Sequence, residues 1–161
     1  MPEVWSRLPD MPVTIVGADP PPEVLALAAP RVEVTGWVED VEPLLHASRL
    51  MVAPLRYGAG MKGKVTQSLA LGLPVATTTI GAEGLETGPD SGLLVADEPR
   101  ELAAKIVEAC TDDVLWEHLS RSGQATMARM CSPTVASEVF SMLLSVDGRT
   151  PDIAGRDAVE G

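Results

Sequence analysis

The 161-residue chain sets 12 Lys and Arg against 23 Asp and Glu, and its net charge of −11 excludes a surface broadly attractive to nucleic-acid phosphates or anionic membranes, unless positive charge is gathered in one place. With 45% hydrophobic and 22% charged residues it reads as one globular domain. A domain of this length buries roughly 70% of its unfolded surface, and aromatic residues at 3% leave the core to Leu, Val, Ala, Ile and Met.

Along the chain, short β-rich runs alternate with helical patterns, the signature of a parallel sheet covered by helices on both faces. Strands are expected over Val13–Ala18, Val32–Val38, Leu50–Leu55, Val75–Thr79 and Gly92–Val95, with connecting helices over Glu23–Ala28, Val41–Ala47 and Lys62–Leu71. Beyond Val95 the pattern turns helical. Asp97 as a cap and Pro99 in the first turn predict a helix through Cys110, with Leu102, Ile106 and Cys110 on one face. A second is expected from about Asp113 to Met130, and Ser132 with Pro133 opens a third carrying Val135, Val139 and Met142 along one side. Val146 to Gly161 has no period and reads as a disordered tail, so the folded domain is expected over residues 1–145. Cys110 and Cys131 stand at no metal-ligand spacing and read as buried thiols in a reducing compartment. With no charged-then-apolar leader and no apolar run near about 18 residues, the expectation is a cytoplasmic protein without a membrane span.

Positive charge is indeed gathered. From Pro43 to Ala82 forty residues contain no Asp or Glu, while Arg49, Arg56, Lys62 and Lys64 fall inside, and two of the chain's three lysines share one loop. Buried parallel strands exclude acids and account for part of that span, but not for the paired lysines. Between the strand ending at Leu55 and the helix starting near Lys62 or Gly63, the stretch Gly58-Ala59-Gly60 lets the backbone turn tightly. A helix N-terminus carries about half a positive charge on unpaired amides, and glycines let an anion approach the backbone. Lys62 and Lys64 add two full charges there, which together fit a diphosphate cradle just beyond the carboxyl ends of parallel strands. A plain Gly-x-Gly turn with solvated lysines is an equally common outcome, and neither a P-loop nor the dinucleotide Gly-x-Gly-x-x-Gly pattern is present.

A second polar loop runs from Thr77, Thr78 and Thr79 to Gly81, Ala82, Glu83 and Gly84. Glu83 either meets sugar hydroxyls, itself or through neighbouring amides, or is a helix cap or solvated loop residue. Trp37, after Gly36, offers a flat face to a nucleobase, although a Trp at a strand end more often packs in a core. His46 reads as a helix-surface residue, and no Ser/His/Asp or paired-carboxylate arrangement is found.

The text Val52-Ala53-Pro54-Leu55-Arg56-Tyr57-Gly58-Ala59-Gly60-Met61-Lys62-Gly63-Lys64, then Leu71-Gly72-Leu73-Pro74-Val75-Ala76-Thr77-Thr78 and Gly81-Ala82-Glu83-Gly84-Leu85, resembles the C-terminal domain of group 1 glycosyltransferases with the GT-B fold. Upstream, Val13-Thr14-Ile15-Val16-Gly17 and Val34-Thr35-Gly36-Trp37-Val38-Glu39-Asp40 are similar to that family's second and third strands, so five ordered segments agree over Val13 to Ala96. The resemblance implies sugar transfer from a nucleotide donor, a UDP- or GDP-sugar, with retention of configuration and without an obligatory metal or other cofactor. It also implies donor-binding roles for Trp37 and Val38 near the base, and for Gly60, Lys62, Lys64 and Gln67 near phosphate and ribose. Two glutamates usual in the family are here Ala59 and Gln67; Gln67 can still bond a ribose diol, whereas Ala59 offers a sugar nothing. Gly58, Gly81 and Glu83 complete the candidate set.

In the doubly wound order 3-2-1-4-5-6 the central first strand is missing from this chain, as is an N-terminal acceptor-binding domain. The fold class expected is therefore Rossmann-like α/β, about five parallel strands with helices on both faces, and with a gap between Val13–Ala18 and Leu50–Leu55. Either those strands close up and pair, another chain fills the gap, or the chain is a fragment. The functional expectation is a glycosyltransferase donor-binding domain, inactive alone and needing an acceptor domain or partner subunit. The alternative is a non-catalytic regulatory or structural remnant that associates with a partner glycosyltransferase, while a Rossmann dehydrogenase is disfavoured by the absent glycine fingerprint.

Overall fold

The computed structural model describes residues 1–131 and residue 137. In chain order the elements are α1 (Pro2–Trp5), β1 (Val13–Val16), α2 (Pro22–Leu25), β2 (Val32–Gly36), α3 (Glu42–Ala47), β3 (Met51–Ala53), α4 (Gly63–Ala70), β4 (Val75–Thr77), β5 (Leu93–Val95), α5 (Pro99–Thr111) and α6 (Asp113–Cys131). All five strands fall inside the runs expected for them, each shorter by one to three residues. The short helix α1 carries no long periodic pattern, which is why its four residues are not legible beforehand. The helix expected from Ser132 and the tail from Val146 lie outside the described residues.

Every strand pairing is parallel, but the strands form two sheets, β1–β2 and β3–β4–β5. The interruption falls between β1 and β3, where the expected first strand is absent. The two strands do not close up to pair, because each keeps its own neighbour on one side only. In the larger sheet Met51, Val75 and Leu93 lie level, followed by Val52, Ala76 and Leu94, then Ala53, Thr77 and Val95.

Alternation along these strands sends successive side chains to opposite faces. On one face Ala53, Val75 and Leu93 pack with Val65 and Leu69 of α4 and Met127 of α6. On the other, Ala76 packs with Leu102, Ala103 and Ile106 of α5, and Val4 of α1 closes that layer. This accounts for α1: the segment is too short to propagate as a free helix and is held by burying Val4, which is 1% exposed. Leu102 and Ile106 face inward as their spacing requires. Cys110 is half-buried against the same layer, and burial pushes its thiol pKa up while the Arg49 guanidinium opposes that shift. Cys131 is exposed, contrary to the expectation of two buried thiols: in the last turns of α6 it is Met127 and Met130 that face the core.

The cap of α5 differs from expectation. Glu98, not Asp97, occupies the N-cap position, with no side-chain hydrogen bond to the helix. The Asp97 carboxylate instead accepts the Thr79 backbone amide at 2.9 Å and the Thr79 hydroxyl at 3.0 Å. At the start of α6 the aspartate cap is genuine, with Asp112 Oδ1 accepting the amides of Val114 and Leu115 at 2.9 Å each.

Candidate functional site

The site grows from the carboxyl end of β3. After Ala53 the chain runs through an exposed loop in which Gly58 has φ +131° and Gly60 has φ +72°, conformations that favour glycine. Helix α4 then begins at Gly63 with Lys62 as its N-cap, and the Lys62 carbonyl accepts the amides of Val65 and Thr66 at 2.9 and 3.1 Å. No side chain caps this end, and the amides of Gly63 and Lys64 donate to no group among the described residues. Unpaired amides and aligned peptide dipoles there favour a negative charge. Lys64 and Gln67 follow in the first turns, three residues apart and both exposed, so they share one helix face beside that end.

Lys62 does not point freely outward. Its side chain, 15% exposed, folds back over the loop so that a Cβ at Gly58 would stand 3.4 Å from its Cε. Its ammonium donates to the Gly60 carbonyl and meets the Glu83 carboxylate at 3.3 Å. Glu83 is thus neither a helix cap nor merely solvated: it ties the loop after β4 to the loop after β3. A Cβ at Gly84 would lie 3.8 Å from Met61, so the same two loops also touch next to the ion pair.

The three consecutive threonines hold this arrangement from below. Thr77 Oγ1 donates to the Ala53 carbonyl at 2.8 Å and Thr78 Oγ1 to the Leu55 carbonyl at 2.7 Å, stitching β4 to the end of β3. Thr78 Oγ1 also accepts the Gly81 amide at 3.3 Å. A Cβ at Gly81 would fall 1.9 Å from Thr77 Oγ1, so only glycine fits under the loop. With Thr79 bound to Asp97, hydroxyls link the carboxyl ends of β3, β4 and β5 in addition to the packing of Ala53 and Val95.

Of the nine residues singled out, the structure therefore joins Gly58, Gly60, Lys62 and Glu83 directly, seats Gly81 against Thr77, Thr78 and the Ala53 carbonyl, and sets Lys64 and Gln67 along the adjoining helix. Trp37 and Val38 stand apart, following β2 in the smaller sheet. Among the described residues no hydrogen bond or ion pair links them to the glycine loop. Trp37 is 71% exposed, so its ring is not part of a core. Tyr57, 88% exposed, and Met61, 53% exposed, share the loop and are not among the residues expected from sequence; a large side chain inside a glycine-rich turn is the signal that marks them. His46 is exposed near the end of α3, as its pattern predicts.

The site is an open surface. A cavity of about 360 Å³ lies at the start of β1 and β2 between Pro12, Val13, Arg31 and Val32, and one of about 150 Å³ lies between Leu45, Leu73 and Trp116; neither is lined by the glycine loop. Among the described residues no cluster of three or more His, Cys, Asp or Glu could hold a metal ion, and no helix is long and apolar enough to cross a membrane.

Residues 1–112 match the family model described as glycosyl transferases group 1. No curated protein matches the chain. Among solved structures, the Anabaena protein HepE in complex with UDP and glucose superposes with a TM-score of 0.70 at 19% identity, over 89% of this chain and 43% of that one. TarM gives a TM-score of 0.75 at 17% identity, over 87% of this chain and 30% of that one. WaaG, a glycosyltransferase involved in lipopolysaccharide biosynthesis, gives 0.62 at 21% identity, over 86% and 42%. This chain spans less than half the length of each.

Proposed function

The chain belongs to the group 1 glycosyltransferases, and from that premise we propose that residues 1–145 form the C-terminal donor-binding domain of a GT-B enzyme, recognising a UDP- or GDP-sugar for transfer with retention of configuration. The observation that carries this reading is the uncapped start of α4, with the Gly63 and Lys64 amides free and the Lys62 and Lys64 side chains beside it. A diphosphate there gains backbone amides, the helix dipole and the nearby Lys64, with the Lys62 ammonium once it leaves Glu83. Gln67, one turn along, can accept from and donate to a ribose diol, and Trp37 offers its exposed face to the base.

This open site supplies one wall of a cleft, so transfer itself requires a second wall. The proposed partner is an acceptor-binding domain, N-terminal in the same protein or on a separate subunit. A location in the cytoplasm, where nucleotide-sugars are made, fits that role.

Calorimetric titration with UDP and with GDP tests the assignment. One of the two is expected to bind, and changing Lys62 and Lys64 together to Ala should weaken it by about tenfold or more, since hydrogen bonds to charged groups contribute roughly 1.5–3 kcal/mol each. Binding unchanged in that variant sinks the assignment. A second reading, a non-catalytic subunit that associates with a partner glycosyltransferase, is favoured by Ala59, which presents only a methyl group where the family usually has a carboxylate. Sugar-donor hydrolysis or transfer by the isolated chain would exclude it.

A further inference from the structure

The ammonium assigned to the diphosphate is already engaged, and that engagement has consequences of its own. Lys62 is an N-cap residue whose stem lies across Gly58 and whose Nζ is held by the Gly60 carbonyl and by Glu83, with Met61 against Gly84 alongside. Glu83 is the first carboxylate after forty acid-free residues, and the structure places it on that ammonium. Core packing of Ala82 and Leu85, with the amide bonds of Ala82 to the Thr78 carbonyl and Leu85 to the Ala82 carbonyl at 3.0 Å each, fixes the backbone around Glu83, whose own side chain is half exposed and free to leave the ammonium.

We propose that Glu83 is a positioning residue that latches Lys62 between the two loops, so that a nucleoside diphosphate must displace the Glu83 carboxylate to engage that ammonium. This rests on the donor-site reading given above. The physical argument is competition between two anions for one cation. With Glu83 in place, Lys62 is pre-neutralised and the loops are tied; when a diphosphate arrives, its charge repels Glu83, the ion pair opens, and the side-chain tie between the two loops is lost. The latch therefore weakens binding of the bare diphosphate and couples ligand entry to loss of that tie.

Two measurements on the full chain test this. In the first, amide hydrogen exchange is followed in ligand-free protein for wild type, Glu83→Gln and Lys62→Ala. Faster exchange at the Glu83 amide, whose bond to the Ile80 carbonyl is long at 3.4 Å, is expected in both variants, and unchanged exchange in both overturns the latch without reference to any nucleotide. In the second, UDP and GDP are each titrated into wild type, Glu83→Gln, Lys62→Ala and the double variant. Glu83→Gln is expected to tighten binding, by up to about fivefold as for an exposed ion pair, and that gain is expected to vanish in the Lys62→Ala background. A gain that persists without Lys62 overturns the latch, because it shows only the removal of a nearby negative charge. Absence of binding of both nucleotides in all four proteins, with exchange altered as expected, overturns both the nucleotide reading and the competition step, and is distinguishable from failure of the latch alone.

Discussion

The two sheets have the same parallel geometry and the smaller is the richer in β-branched residues, yet it is the less buried. Around β3–β4–β5, α4 and α6 cover one face and α1 and α5 the other; Val75 and Ala76 are both 0% exposed on adjacent positions of one strand. Around β1–β2 no helix packs comparably, Thr14 is exposed, Ile15 and Val16 are only half-buried, and no residue of either strand joins a core cluster among the described residues. Leu25 and Leu27 are left 51% and 53% exposed on the α2 side. A parallel strand is normally buried on both faces and paired on both edges, so β1, open at one edge and thinly covered, lacks much of what stabilises such a strand. Neither strand composition nor parallel pairing is sufficient: the layers on both faces make the difference.

That contrast can be broken at its strongest point first. Leu69, 1% exposed, touches Gly123 of α6 as well as the sheet layer, so Leu69→Ala is expected to cost about 3–5 kcal/mol in urea unfolding. A cost below about 1 kcal/mol would mean that this layer is not the core. Next, Gly92 has φ +77° and a Cβ there would lie 2.5 Å from Gly123 Cα, backbone against backbone. Gly92→Ala is expected to lose about 2–4 kcal/mol, read as a lowered melting temperature. An unchanged melting temperature would show that α6 can shift away. The smallest effect is expected on the other side of the molecule, where Ile15→Ala, in a half-buried position, should cost only about 1 kcal/mol. If Ile15→Ala proves as damaging as Leu69→Ala, β1–β2 is a full member of the core and the contrast fails.

Much of the fold was legible because short β-branched runs, proline-opened helices and glycine turns each act over a few residues. Every expected strand and every expected helix within the described residues is present, and the break between β1 and β3 lies where the missing strand would leave it. The candidate site was legible as a neighbourhood. Gly58, Gly60, Lys62 and Lys64 are contiguous, so their common place at the start of α4 needs no tertiary information. Glu83 was singled out as the first acid after the gap, but its partner was not foreseeable across 21 residues of sequence separation. Asp97 illustrates the opposite error: it sits where a cap belongs, yet Thr79, 18 residues earlier, offers both a hydroxyl and an amide, and the carboxylate turns to those.

By itself, then, the sequence determined the kind and order of the elements, the family, and the concentration of positive charge beside a glycine turn, since these depend on local backbone preference and on composition. Only the tertiary structure decided that the strands divide two and three, that Thr77 and Thr78 carry their hydroxyls to β3, and that Lys62 turns back to Glu83 while Trp37 stands apart from the loop. Those outcomes depend on which surfaces meet through space, and a side chain's choice among distant partners is settled by the packing that brings them within a few ångströms of one another.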